Sequence, residues 1–228
     1  MMQLHNDDEL FDMMRRELFS AVVGDVMDQI SLTHQFLSPR LQPLRDDMVV
    51  VGRVMPVLVA DYLPSEDGHN DIGKKPFGLM LEALDDLKKN EVYFATGSSP
   101  RYALWGELMS TRAMKLGAAG AVLDGYSRDT PGILRLNFPT FSYGRYAQDQ
   151  GVRGKVLDFR IAVEAGEVRI DPGDIIFGDL DGVVIIPQKA ERDVIGRALD
   201  KVHKENQVRT AIEEGMPSAE AFRTYGVM

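Results

Sequence analysis

The stretch richest in possible chemistry is Gly106–Asp129, GELMSTRAMKLGAAGAVLDGYSRD. It reads as a helix, a glycine-rich turn, a short strand, a glycine turn and an Arg-Asp pair. Backbone N–H groups at a helix N-terminus point outward and attract an anion. Gly106, Glu107, Leu108 and Met109 are placed to hold a carboxylate or phosphate, and Gly106 lets a ligand approach the backbone closely. The same glycine also suits a plain helix start, with an acid in the first turn favoured by the dipole. Asp124–Asp129, DGYSRD, follows a buried-looking strand, and ligands in open α/β folds gather outside strand carboxyl ends. Arg128 offers a planar, permanently charged fork for carboxylate or enolate oxygens. Asp129 is a hard oxygen ligand suited to Mg²⁺ or Mn²⁺. A surface arginine beside a turn aspartate would have the same local sequence.

Composition limits the alternatives. The chain has 228 residues, 44% hydrophobic and 27% charged, the balance of a folded globular protein. Its charge sum is 26 − 35 = −9, which disfavours nucleic acid and anionic lipid as partners. An anionic small substrate would need a local positive site or a metal. Cysteine is absent, which excludes disulfides, Cys-ligated zinc, iron–sulfur clusters and thiol catalysis, and fits a reducing cytoplasm. His5, His34, His69 and His203 never pair at ligand spacing, so carboxylates and water are the expected ligands of any metal. The N-terminus lacks a basic start and apolar core, so no signal peptide is expected. No apolar run is long enough for a transmembrane helix.

The elements that must position these residues follow from periodicity. Leu10, Met13, Met14, Leu18, Val22, Val26 and Ile30 predict a helix over residues 8–31, interrupted by Gly24 and capped by Asp7 or Asp8. Residues 48–60 read as a strand bent at Gly52 and Pro56. Residues 61–76 are rich in turn formers and read as a loop. A short helix at 77–88, a strand at 91–96, a helix at 106–116 ended by Gly117, and strands at 121–124 and 138–143 follow. Residues 156–186 read as short strands at hairpin-like spacing. Residues 189–214 read as a charged helix, and a last short helix ends near Tyr225. No linker divides the chain, so one domain over residues 1–228 is expected, α/β with mixed sheets and helices at both chain ends.

Trp105–Asp129, Pro139–Phe141 and DPGDIIFGDLDGVVIIPQ (Asp171–Gln188) together resemble the family of regulator of ribonuclease activity A and the 4-hydroxy-4-methyl-2-oxoglutarate aldolases. The ending KENQVRTAIEEGM…AFRTYGV is similar too. The resemblance implies a compact αββα sandwich, assembled as a homotrimer or hexamer with sites at subunit interfaces. It implies a lyase: a metal-dependent aldolase that releases pyruvate from a 4-hydroxy-2-oxo dicarboxylic acid, with oxaloacetate decarboxylation as a side activity. Carried over residue by residue, Asp129 would ligate Mg²⁺ or Mn²⁺, and Arg128 would stabilise the enolate. The amides of Glu107, Leu108 and Met109 would hold the substrate carboxylate. The Glu107 side chain would reach a water on the metal, and Glu205 of a neighbouring subunit would approach the same metal through water. The family also implies a second reading, a non-enzymatic regulator that binds a ribonuclease or helicase. In that class the Asp after Arg is typically lost, so Arg128-Asp129 favours the enzyme. A third reading keeps the enolate machinery but acts on another sugar acid. Members have also carried a menaquinone methyltransferase label, but no glycine-rich nucleotide loop is present here. Departures from the family pattern fall at Pro56, at Leu58, at Lys89-Asn90-Glu91 and in the long 61–76 segment, all where the substrate's distal end is expected.

Overall fold

The computed structural model describes residues 6–63 and 71–227. His5, His69 and residues 64–70 of the expected loop lie outside the described residues. In chain order the elements are α1 (Asp7–Glu17), α2 (Ser20–Gln29), β1 (Gln42–Pro43), β2 (Val50–Asp61), α3 (Asp71–Lys74) and α4 (Met80–Asp85). Then come β3 (Glu91–Thr96), β4 (Ala103–Trp105), α5 (Glu107–Leu116), β5 (Gly120–Leu123), β6 (Tyr126–Ser127), α6 (Thr130–Leu136) and β7 (Thr140–Ser142). Last are β8 (Gly154–Phe159), β9 (Val163–Ala165), β10 (Val168–Ile170), β11 (Ile175–Gly178), β12 (Val183–Ile186), α7 (Glu191–Glu213) and α8 (Ser218–Tyr225).

The main sheet has eight strands in the order β1-β7-β5-β3-β2-β11-β12, with β8 also on β2. β5, β3 and β2 run parallel, whereas β11, β12 and β8 are antiparallel to their neighbours. Two small sheets, β9-β10 and β4-β6, complete the β structure. The expected mixed α/β fold with helices at both ends is therefore present. The two faces of the sheet carry separate cores. Val51, Ile175, Phe177, Val184 and Ile186 pack with α1, α2 and α7, while Val54, Phe94, Val122 and Ile176 pack with Ala83, Ala113 and Ile133. Alternate residues of β11 serve opposite faces, as a period of two requires.

Three expectations are corrected. The helix over 8–31 is two helices, broken at extended Leu18 and Phe19. The break is anchored because the Ser20 N–H and hydroxyl both donate to Asp179, each at 2.6 Å. Gly24 does not interrupt α2; it seats the Phe36 ring, which would lie 2.1 Å from an added Cβ. Asn6, not Asp7 or Asp8, caps α1 by accepting from Glu9 N–H at 3.0 Å. Asp7 instead grips Arg53 at 2.7 Å, and Asp8 grips Lys89 at 2.6 Å.

β2 ends at Asp61, whose carboxylate collects Ser99 N–H at 3.1 Å, Arg101 at 2.8 Å and the Tyr102 hydroxyl at 3.0 Å. Partial burial pushes this acid up, but the donors from Ser99, Arg101 and Tyr102 outweigh it and hold it at about 2. An ordinary aspartate titrates at about 3.9. The fold thus favours the ionised form, and the resulting stability is complete above about pH 4 and is lost as pH falls toward about 2. Urea unfolding of wild type and Asp61→Asn from about pH 6 downward should show a stability gap that closes with acidification. A gap independent of pH would show that the charge does not hold this loop.

Candidate active site

The site is built where β4 and β6 deliver the starts of α5 and α6. The two strands pair in parallel, and Arg128 N–H extends the pairing by donating to Trp105 C=O at 2.9 Å. Trp105 is buried, with its ring 4.9 Å from Tyr93 and 6.1 Å from Phe138. Its indole N–H donates to Ser110 Oγ at 2.7 Å, and Ser110 Oγ donates to Gly106 C=O at 3.1 Å. The first turn of α5 is therefore fixed to the core by one aromatic side chain. The other end of α5 closes on Gly117 in the left-handed region, φ 80°, as its position predicted.

Asp129 also adopts a left-handed backbone, φ 56° and ψ 30°, which aspartate tolerates better than most residues. It occupies the N-cap position of α6, yet its side chain makes no capping bond there. The carboxylate turns to α5 instead, where Oδ2 accepts from Glu107 N–H at 3.3 Å. The amides of Leu108 and Met109 have no acceptor among the described residues, as expected of a first helical turn. The absent side chain of Gly106 makes this approach possible, since a Cβ there would sit 2.5 Å from Asp129 Oδ2. Arg128 is half-exposed; its Nε lies 3.9 Å from Asp129 and its Nη1 3.1 Å from Asp149. Glu107 reaches Arg135 at 3.4 Å and lies over Gly132, where an added Cβ would meet Glu107 Cδ at 2.1 Å.

Gly106, Glu107, Leu108, Met109, Arg128 and Asp129 thus share one locus. Glu205 does not join them within the chain. It sits on α7, whose buried Val194, Ile195 and Ala198 belong to the opposite core, and it pairs with Lys201 at 3.5 Å. Sequence reasoning missed Asp149, which orients Arg128, and Arg135, which braces Glu107. It also missed α6, although Pro131 in the first turn signals a helix start. Asp124, which opens the DGYSRD stretch, accepts from Thr96 at 2.7 Å and from the Tyr143 hydroxyl. Burial and this carboxylate push Tyr143 up to about 12.

No group of three or more acidic or histidine side chains able to hold a metal occurs among the described residues. The arrangement fits a different kind of site. Mg²⁺ keeps several waters and is often bound through one or two carboxylates, and the carboxylates here are Asp129, against Gly106, and Glu107, over Gly132. Three carboxylates (Glu107, Asp129, Asp149) face two guanidinium groups (Arg128, Arg135). The cluster is one negative charge in excess, which favours a cation.

The Aldolase/RraA family profile (RraA-like) matches residues 20–185. A candidate 4-hydroxy-4-methyl-2-oxoglutarate aldolase of Halalkalibacterium halodurans is 30% identical over 209 residues, covering 91% of this chain and 90% of that protein. Protein DlpA of Legionella pneumophila is 27% identical over 207 residues, 90% of this chain but only 32% of DlpA's own length. Streptomyces coelicolor RraAS2, described as an unusual member of the RNase ES inhibitor RraA family, superposes with a TM-score of 0.76 at 21% identity, over 91% of this chain and 99% of RraAS2. That likeness shows the fold. With a family profile spanning most of its length and the Arg128-Asp129 pair set at the start of α5, the chain belongs to the RraA-like Aldolase/RraA family.

Proposed function

We propose that this protein is a divalent-metal-dependent aldolase that cleaves a 4-hydroxy-2-oxo dicarboxylic acid, such as 4-hydroxy-4-methyl-2-oxoglutarate, to release pyruvate. The observation that carries the reading is the convergence of Arg128 and Asp129 on the open amides of α5 beside Gly106. The Leu108 and Met109 amides bind the substrate carboxylate. Arg128, aimed by Asp149, sits by the 2-oxo oxygen. Breaking the C3–C4 bond leaves an electron pair on C3, tolerable only when delocalised into the C2 carbonyl as an enolate. Arg128 stabilises that developing negative charge electrostatically. The proton of the 4-hydroxyl passes by way of a water to Glu107, whose side chain Arg135 positions at 3.4 Å. When bound at Asp129, Mg²⁺ or Mn²⁺ would supply a Lewis acid for the same oxygen.

The same enolate forms when carbon dioxide leaves C3, which makes oxaloacetate decarboxylation the expected side reaction. A Schiff-base route finds no support. Lys115 is exposed on α5. Burial lowers Lys155, but its ammonium donates to the Lys75 carbonyl at 2.7 Å and to the Pro76 carbonyl. The regulator reading remains the alternative, favoured by the fold of RraAS2 alone.

Arg128→Ala and Asp129→Ala should each lower turnover at least about a hundredfold, since removing one preorganised charge-stabilising group costs about 2.7–4 kcal/mol, with circular dichroism unchanged. Near-wild-type turnover in either folded variant overturns the assignment.

Chelation should abolish activity, and Mg²⁺ or Mn²⁺ should restore it. Gly106→Ala should fold normally, because its extended backbone (φ −153°) suits any residue, yet bind Mg²⁺ about tenfold more weakly because the new Cβ displaces Asp129. Unaltered Mg²⁺ affinity by calorimetry would place the metal elsewhere.

The assembly is proposed as a trimer or hexamer in which Glu205 of one subunit completes the site of the next. Mixing inactive Asp129→Ala with inactive Glu205→Ala should restore part of the activity after verified subunit exchange. A fully active monomer by light scattering would refute the shared site.

A further inference from the structure

Beside the Arg128 site lies a cavity of about 590 Å³ whose lining includes Arg101, Tyr126, Arg145, Tyr146 and Arg153. Its volume falls in the range of small-molecule pockets, about 300–1,000 Å³. Nothing in the reaction derived above uses it. It adjoins the site through the backbone. Tyr126 and Arg128 lie two residues apart across buried Ser127, so strand alternation turns both to one face. The segment carrying Arg145 and Tyr146 runs beside the same strand: Ser127 bridges Arg145, and Tyr146 N–H donates to Ser127 C=O at 2.9 Å. The segment continues to Asp149, which holds Arg128.

The cavity's charge is lopsided. Of its three arginines, only Arg101 meets a carboxylate, Asp61 at 2.8 Å. Arg153 donates to the Asp149 carbonyl at 3.0 Å and, with the Gln148 amide oxygen turned toward it, to that oxygen. Neither acceptor is charged. Arg145 makes no ion pair or side-chain hydrogen bond among the described residues and is exposed. Tyr126 and Tyr146 meet edge to face at 5.5 Å and give one wall an apolar body with polar tips. Two uncompensated guanidinium groups in one hollow stand out in a chain whose net charge is −9. Arginine forks match planar or tetrahedral oxyanions.

Resting on the proposed aldolase reading, we infer that this cavity is the subsite for the substrate's far end, and that Arg145 and Arg153 select substrates ending in an oxyanion. The reacting 2-oxo acid end lies at α5, and the chain extends past Arg128 along the face of Tyr126.

Calorimetry on the Mg²⁺-loaded full-length protein tests this with non-cleavable ligands of equal length: 2-oxopentanoate, 2-oxoglutarate and 2-oxo-4-phosphonobutanoate. Wild type should bind the tighter of the two oxyanion-ended ligands about tenfold or more above 2-oxopentanoate, and which of them wins identifies the terminal group as carboxylate or phosphate. In Arg145→Gln and Arg153→Gln that ratio should collapse toward one, with partial recovery in Arg145→Lys. Equal affinity for all three ligands in wild type, or an undiminished ratio in both glutamine variants, overturns the inference. Glutarate separates it from the reaction it rests on. If the 2-oxo acids do not bind while glutarate binds in an Arg145-dependent way, the oxyanion subsite stands and the aldolase reading falls. If no ligand binds, both fall.

Discussion

β2 is the strand on which the rest of the architecture depends, because its twelve residues must satisfy hydrogen bonds on both edges while largely buried on both faces. One edge is met by β3 over Arg53–Leu58. The other is shared: β11 pairs with Val50–Arg53, and β8 pairs with Val57–Asp61. Pro56 falls in the gap between them. Its carbonyl, like that of Val54, faces this edge, accepting from Arg160 N–H at 2.8 Å while Val54 accepts from Gly173 at 2.9 Å. The missing N–H of Pro56 therefore points where no strand requires a donor, which is how proline survives inside a central strand. Past the gap the register with β8 slips between Leu58 and Val59, leaving Leu157 unmatched. The switch of partners turns the sheet and carries Asp61 to the loop that bounds the cavity.

The candidate site is made by releasing a capping residue from its own helix. An N-cap aspartate normally accepts from the first turn that follows it. Asp129 cannot, because its left-handed backbone turns the carboxylate toward α5. α6 starts at Thr130 and carries Pro131 in its first turn, which has no N–H in need of an acceptor. Two missing side chains make room on either side, Gly106 for Asp129 and Gly132 for Glu107. One carboxylate thus stands at the start of a neighbouring helix, with favourable dipole, rather than being consumed by its own.

Much of this was legible in the sequence, and the gaps have physical causes. The strands at Glu91–Thr96 and Gly120–Leu123 and the helix closed by Gly117 announced themselves by apolar runs and a left-handed stop. The break at Leu18-Phe19 did not, because its apolar period continues across it and its cause, Asp179, lies 159 residues away. β4 and β6 are three and two residues long, too short for any periodicity to register. Arg128 and Asp129 were found because their types and order carry chemistry, with the family resemblance adding their roles. Asp149 and Arg145 were not: nothing local distinguishes an acid or a base in an irregular segment, and only the bridge from Ser127 to Arg145 places that segment beside β6.

Electrostatics ties the two hollows together. A chain of net charge −9 repels an anionic acid at long range, so attraction must be local. At α5 the three carboxylates outnumber the two guanidinium groups. That locus alone would not gather a 2-oxo acid; a divalent cation added to it reverses the excess from one negative to one positive charge. In the adjoining cavity the imbalance has the other sign, with three arginines against Asp61. Arg128 stands between the two, partly neutralised by Asp149 and Asp129. Its fork is oriented without being fully spent, which is the condition for a guanidinium to respond to charge that appears only as a bond breaks.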